Sequence, residues 1–266
     1  MEMPRGSVEA LVACGVRGGH TWRMQPAFIP TRRRVPELMD DEGIGPREHD
    51  AALRGLARIN RVSRSDAILW PVLRDVAASG NGRVLRVMDV ATGSGDVPAA
   101  LDARARSAGI RIEWTLCDRS PHALARAEER AAGSGMNVRT VCVDVLAAPL
   151  PTDCDVVISS LFLHHFDPHD AVRIMRSMRD AARVAVGVAD LDRTWLGLGL
   201  ATLGARVLSR SPVVHFDAAA SVRAAHARAE IESLARDAGM SGCVITRAWP
   251  ERWRLWWNRD GKGSAR

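Results

Sequence analysis

Apolar residues along this chain follow two rhythms. From Pro36 to Ser79 the rhythm is helical: Leu53, Leu56, Ile59 and Val62 recur every third residue. Ala67, Leu69, Val72, Leu73 and Val76 continue the stripe up to Gly80, with Pro71 in the first half of a second helix. Beyond Gly80 short apolar runs take over, at Val84–Val90, Ile112–Cys117, Val138–Val143, Asp155–Ser159 and Val184–Val188, with helix-length segments between them. The helix starts are punctuated. Ser120-Pro121 and Asp167-Pro168 each set an N-cap residue before a proline at the first helical position, and Asp170 adds a carboxylate to a first turn. Strands alternating with helices imply a parallel sheet covered on both faces.

The rhythm breaks after Asp190. Leu191–Leu208 is hydrophobic and glycine-containing, and a loop with Ser211-Pro212 is expected after it. A helix is expected from about Ser221 to Ala238, ending at Gly239. The last two strand candidates, Cys243–Ala248 and Trp253–Trp257, flank Pro250-Glu251 and suggest a hairpin.

The segment that carries chemistry is Val87-Met88-Asp89-Val90-Ala91-Thr92-Gly93-Ser94-Gly95-Asp96-Val97-Pro98. An apolar strand runs into a Gly-x-Gly turn that opens a helix, the geometry of a nucleotide-binding loop. A dinucleotide loop wants a third glycine where this chain has Pro98, and Asp96 places a negative charge where pyrophosphate would lie. Both features disfavour a nicotinamide- or flavin-dependent oxidoreductase. Two further acids keep register with the loop: Asp118 closes the second strand candidate and Asp144 follows the third. A lone strand-end Asp is usually a turn or cap residue; three in register behind one glycine turn point to a ligand.

This set resembles the motifs of class I S-adenosylmethionine (SAM)-dependent methyltransferases, with Ala91 in the place of the family's first loop glycine. The resemblance is ordered over Val84–Ala189 and looser over Pro36–Trp257. It implies a Rossmann-like α/β fold: a seven-stranded, mostly parallel sheet with an antiparallel C-terminal hairpin, helices on both faces and a helical preface. It also implies SAM as cofactor. Asp89, Ala91, Thr92, Gly93, Ser94 and Gly95 would form its loop. Asp118 and Arg119 would lie at the ribose, Asp144 and Val145 at the adenine, and Ser160 at the end of the fourth strand.

That fourth strand leads through Ser159-Ser160-Leu161-Phe162-Leu163 to His164-His165, similar to small-molecule enzymes of the family. The Asn/Asp-Pro-Pro-aromatic tetrad common among enzymes that methylate nucleic-acid bases is absent. The loop looks closest to methyltransferases of quinone and polyketide biosynthesis. Glu37-Leu38-Met39-Asp40-Asp41, with Leu53-Arg54-Gly55-Leu56 and Arg58-Ile59-Asn60, looks like a bacterial subgroup associated with alkylresorcinol-type polyketides.

Removing a phenolic proton calls for a base near neutrality, which suits histidine. His164 and His165 are therefore the catalytic candidates, against a reading in which both only cap the following helix or pack against the cofactor; His215 is a weaker one. Residues 36–80 and 190–220 are expected to close over the site as a lid. Trp195, Leu196, Leu198, Leu200 and Leu203 would then line an acceptor pocket, or else simply pack on the sheet. Arg58, Asn60 and Arg64 are candidates to hold the cofactor's carboxylate. No metal set is expected. Trp70, Trp253, Trp256 and Trp257 read as core or edge aromatics.

Charge adds little. The net +6 and the pI of 9.8 suggest an anionic partner at face value. Yet residues 1–35 hold six Arg and two acids, residues 259–266 three basic residues and one acid, and 36–258 balance at 28 of each. The organisation expected is thus a flexible basic extension (1–35), a methyltransferase domain (36–258) and a tail (259–266). The domain divides into a helical cap (36–80), a cofactor core (84–189), a lid (190–220) and a C-terminal helix and hairpin (221–258). Arg32-Arg33-Arg34 is expected to be solvated. Five cysteines without a CxxC pair point to a reducing cytoplasm. No apolar run is long enough to span a bilayer, and Glu9 interrupts the one signal-like stretch. The expected partner is a small-molecule acceptor, not nucleic acid, for a monomer or homodimer. A non-catalytic interaction module with the same fold is the alternative.

Overall fold

A computed structural model describes residues 27–41, 43–80 and 82–261. Two helices open it, α1 (Pro46–Val62) and α2 (Ser65–Ser79), preceded by a short 3-10 turn at Leu38–Asp40. The strands and helices then alternate: β1 (Leu85–Val90), α3 (Asp96–Ser107), β2 (Ile112–Asp118), α4 (Pro121–Ser134), β3 (Val138–Cys142), β4 (Cys154–Ser160), α5 (Pro168–Ala181) and β5 (Ala182–Leu191). Three helices follow, α6 (Trp195–Leu208), α7 (Pro212–Ala224) and α8 (Arg228–Asp237), and then β6 (Val244–Ala248) and β7 (Arg252–Asn258).

The seven strands form one sheet in the order β3-β2-β1-β4-β5-β7-β6. β1 to β5 are parallel, and β7 runs antiparallel to both β5 and β6. This is the expected α/β architecture. Near-continuous apolar runs such as Val156-Val157-Ile158 are covered on both faces, as central parallel strands require. α2, α3 and α4 bury Leu69, Leu101 and Ala127 on one face, while α5 and α8 bury Met175 and Ile231 on the other. The chain passes from β1 to β2 and β3 on one side, then crosses back to β4 on the other. That switch point lies between β1 and β4, where open α/β sheets bind ligands.

Four expectations are corrected. The single helix over Ser221–Ala238 is two, because Ala225–Ala227 turn the chain between α7 and α8. Ser211-Pro212 is not loop but the start of α7, with Pro212 at its first position, where a missing N–H costs nothing. The described part of the basic extension, 27–35, is anchored. Phe28 bridges Thr194, Ile29 is buried, and the Ile29 N–H donates to the Arg193 carbonyl at 3.1 Å. Arg32 is not solvated either: Nε donates to the Ala224 carbonyl (2.6 Å) and Nη2 to those of His164 (3.0 Å) and Phe166 (2.7 Å). Arg34 donates to the His165 carbonyl and pairs with Asp167. Carbonyls of a tight turn need donors from outside it, and the two guanidinium groups supply them. Residues 1–26 and the last five residues of the 259–266 tail lie outside the described residues.

Candidate active site

The turn after β1 is built on left-handed backbone. Ala91, Gly93 and Gly95 have φ of 59°, 55° and 68°. A Cβ on Gly93 would meet nothing within 4 Å, so this glycine borders open space above the sheet edge. Gly95 serves packing instead, since a Cβ there would approach the Ala127 Cβ of α4 to 3.1 Å. Ala91 adopts the strained conformation with its methyl in place.

Three carboxylates surround this turn. Asp89 is buried, and neither its Oδ1 nor the Thr92 Oγ1 beside it has a hydrogen-bond partner among the described residues. Burial, helped by the charges of Asp96 and Asp118, pushes the Asp89 carboxyl up to about 8. Burial also raises Asp96, whose oxygens accept from Asn60 Nδ2 (2.9 Å) and Ser94 Oγ (3.4 Å). Asp118 accepts the N–H of Gly93 (2.8 Å) and of Ser120 (2.9 Å), yet burial keeps it above the usual carboxylate range. Three acids with raised pKa values, Asp89 buried and Asp96 and Asp118 half-buried, and an orphaned oxygen make a floor short of positive charge. Such a floor favours a cationic ligand and repels phosphate.

Asp144 lies in a turn beyond β3 and is exposed, with Oδ1 accepting the Leu146 N–H at 2.9 Å; Val145 packs partly into the core. Arg119 pairs with Asp40 at 3.2 Å, and Ser160 ends β4 half-buried. The sequence-derived loop residues and Asp118 thus meet at one edge.

The histidine pair sits across the switch point, in a single 3-10 turn Leu163–His165 after β4. His164 is buried. Its backbone N–H and its Nδ1 reach the two oxygens of Asp190, at 3.0 and 2.7 Å, and its Nε2 faces Glu37 Oε1 at 3.4 Å. Burial works against its charge, but Asp190 and Glu37 outweigh burial and push the imidazole up to about 10. His164 is therefore an imidazolium clamped between two carboxylates. Both stay below the carboxylate range despite burial, because His164 faces each of them. His165 is more open, with its side chain 20 % exposed, and its Nδ1 reaches Asp40 at 2.9 Å. Its Nε2 lies 3.8 Å from Glu37 Oε2, and the two imidazole rings are 4.3 Å apart.

Glu37 and Asp40 arrive from the turn before α1, which α7 holds down. Leu38 and Met39 donate backbone N–H groups to Asp217, and Ser221 Oγ donates to Glu37 at 2.5 Å. Burial lifts the Asp217 carboxyl to about 6. Ligand atoms of Glu37, His164 and His165 lie within 4.8 Å of one another, a spacing a metal can use. Here the carboxylate between the imidazoles, with Ser221 behind it, already accounts for the grouping through hydrogen bonds.

Other candidates fall elsewhere. His215 Nε2 meets the Ser209 carbonyl at the α6–α7 junction. Arg58 donates to the Leu208 carbonyl, and Arg64 faces a depression between α2 and β6. Of the proposed carboxylate-holding trio, only Asn60 reaches the glycine turn. Of the α6 residues expected to line an acceptor pocket, Trp195, Leu196 and Leu203 are exposed and Leu198 and Leu200 are half-buried. Sequence reasoning did not select Asp190, Asp217, Ser221 or Arg252 as site residues. Glu37 and Asp40 entered it only through a resemblance.

Comparison with known proteins agrees with this geometry. Residues 87–184 match the family model described as "Methyltransferase domain". A 3-hydroxy-5-methyl-1-naphthoate 3-O-methyltransferase of Streptomyces sahachiroi is 38 % identical over 111 residues, which is 41 % of this chain and 31 % of that enzyme. The match thus spans about a third of the curated relative. Among solved structures, the SAM-dependent methyltransferase SibL in its apo form superposes with a TM-score of 0.56 at 23 % identity, over 75 % of this chain and 55 % of that one. Magnesium protoporphyrin IX methyltransferase from Synechocystis PCC 6803, with bound S-adenosylhomocysteine (SAH), gives 0.53 at 19 % identity, over 76 % and 85 %. SAM carries a sulfonium and an ammonium and no phosphate, so it suits the acidic floor that a dinucleotide does not. Residues 87–184 are thus similar to a methyltransferase domain, within a chain that shares the fold of SAM-dependent methyltransferases.

Proposed function

We propose that the protein methylates a hydroxyl group on a small, largely apolar aromatic acceptor. The observation that carries this reading is the pairing, across one switch point, of a cation-seeking acidic floor with a histidine pair held by carboxylates. When bound, SAM supplies a methyl group made electrophilic by its sulfonium. Asp89 and Thr92 offer unpartnered oxygens to its positive end, Gly93 leaves room for it, and Asp118 offers a carboxylate to the ribose hydroxyls. Asp144 and Val145 would hold the adenine, and Arg119 and Ser160 would flank the cofactor.

His165 is the residue suited to take the hydroxyl proton. Asp40 accepts from its Nδ1, which fixes the tautomer and leaves Nε2 as the base. His164, already protonated and paired with Asp190 and Glu37, cannot serve as a base; it fixes the turn that carries His165. The domain's remaining task is to align the hydroxyl oxygen with the methyl group. An aromatic acceptor is supported by the Streptomyces relative, whose name describes methylation of a ring hydroxyl on a naphthoate.

Incubation with isotopically labelled SAM and a panel of hydroxyarenes, read by mass spectrometry, tests the reading. Label on an oxygen of at least one acceptor is expected. SAM binding without transfer to any acceptor would favour the non-catalytic module, and binding of a nicotinamide in place of SAM would overturn the reading.

A further inference from the structure

One buried charge has no place in this mechanism. Arg252 opens β7 opposite Leu191, at the carboxyl end of β5, on the same sheet edge as the glycine turn and the histidine pair. The residue is 4 % exposed. Its Nη1 and Nη2 donate to Ser65 Oγ (2.5 Å) and Ser63 Oγ (3.1 Å), while its Nε has no partner among the described residues. Among the described residues no carboxylate forms an ion pair with it. The two acids whose charge it feels, Asp190 and Asp96, are committed elsewhere. Asp190 serves His164 and the Leu191 N–H, and Asp96 serves Asn60 and Ser94.

A guanidinium buried with only neutral hydroxyls is unfavourable, because desolvation is not offset by an opposite charge. Burial accordingly pulls its pKa down to about 10. The hydroxyls that hold it also belong to the site, since Ser65 Oγ donates to Asn60 Oδ1 (2.9 Å) and Asn60 reaches Asp96 at the glycine turn. The cation is thus wired to the cofactor loop on one side and lies near the carboxylate that clamps His164 on the other.

We propose that Arg252 is an anion receptor of this site, which docks the carboxylate of a bound ligand. A planar guanidinium with an unused N–H matches a carboxylate in shape and charge. Two ligands of the proposed reaction can bring that group: the methionine end of the cofactor, or an aromatic acceptor that bears an acid beside its hydroxyl. The inference rests on the methyltransferase reading above.

Calorimetry on the full chain separates the sources. Four probes are titrated: SAH and its decarboxylated analogue, and a hydroxynaphthoic acid and the corresponding naphthol. Wild type should prefer one carboxylated probe over its partner by roughly 10- to 100-fold, as expected for a hydrogen-bonded charge pair. Arg252→Met should abolish that preference and leave the melting temperature equal or higher, because a buried unpaired charge is gone. A merely structural arginine would instead lower the melting temperature and leave the preference intact. Loss confined to SAH assigns the cofactor's carboxylate, and loss confined to the naphthoic acid assigns the acceptor's. If Arg252→Met does not fold, Arg252→Lys retains the charge without the fork and should narrow the same preference. Unchanged preferences in a folded variant overturn the proposal. Failure of wild type to bind any of the four probes would overturn the methyltransferase reading as well.

Discussion

Asp89→Asn isolates the electrostatic tension in the cofactor floor. The folded carboxyl titrates at about 8 against 3.8 in the unfolded chain. A carboxyl with a raised folded pKa favours the folded state at low pH, and that benefit is lost as pH rises from the unfolded value to the folded one. Between roughly pH 4 and 8 wild type should lose about 1.4 kcal/mol per pH unit through this residue alone. At pH 7 the accumulated loss is on the order of 4 kcal/mol, and at pH 5 on the order of 1.6 kcal/mol. Asparagine keeps the shape and never ionises. Asp89→Asn should therefore be more stable than wild type at pH 7, by a margin that shrinks towards pH 5. Denaturant melts of both proteins at pH 5, 6 and 7 measure the difference and cancel the titrating groups that Asp89 does not touch, leaving only its coupling to Asp96 and Asp118. The same change should weaken SAH binding, because an oxygen meant for a positive ligand is lost. A variant less stable than wild type at pH 7, or a margin that does not move with pH, would refute the argument.

Other expectations follow from the same geometry. His165→Ala should abolish turnover while SAH affinity stays unchanged, whereas His164→Ala should destabilise the fold by roughly 3–5 kcal/mol by stranding Asp190 and Glu37; kinetics, calorimetry and melts on the pair distinguish the roles. Ala91→Gly should raise stability by about 0.5–1 kcal/mol, since it relieves left-handed strain at φ 59°; a lower melting temperature would show that the methyl is needed for packing. Arg32→Ala removes donors from three carbonyls and should cost roughly 1–3 kcal/mol, with faster hydrogen exchange in the turn that carries the histidines; exchange unchanged there would count against an anchoring role.

The sequence by itself determined what depends on local period and turn chemistry. Apolar runs bounded by helix caps gave the order of strands and helices. Gly93 and Gly95 after an apolar strand marked the ligand edge, because few residues tolerate the backbone they adopt. Asp89 and Asp118 were legible from their places at or beside the end of an apolar run on that edge. Asp144 kept the register, but the structure shows its oxygen committed to a turn as well. What the histidines do was decided only in three dimensions. Identical neighbours in sequence, His164 and His165 differ because Asp190 and Glu37 close on one while Asp40 and solvent meet the other. Arg32 reads as part of a solvated run and Arg252 carries no signal until their partners are known, and those partners lie more than 130 and more than 180 residues away. A charge takes its meaning from burial and from whichever opposite group the fold brings within reach. Neither is a property of the residues beside it in the chain.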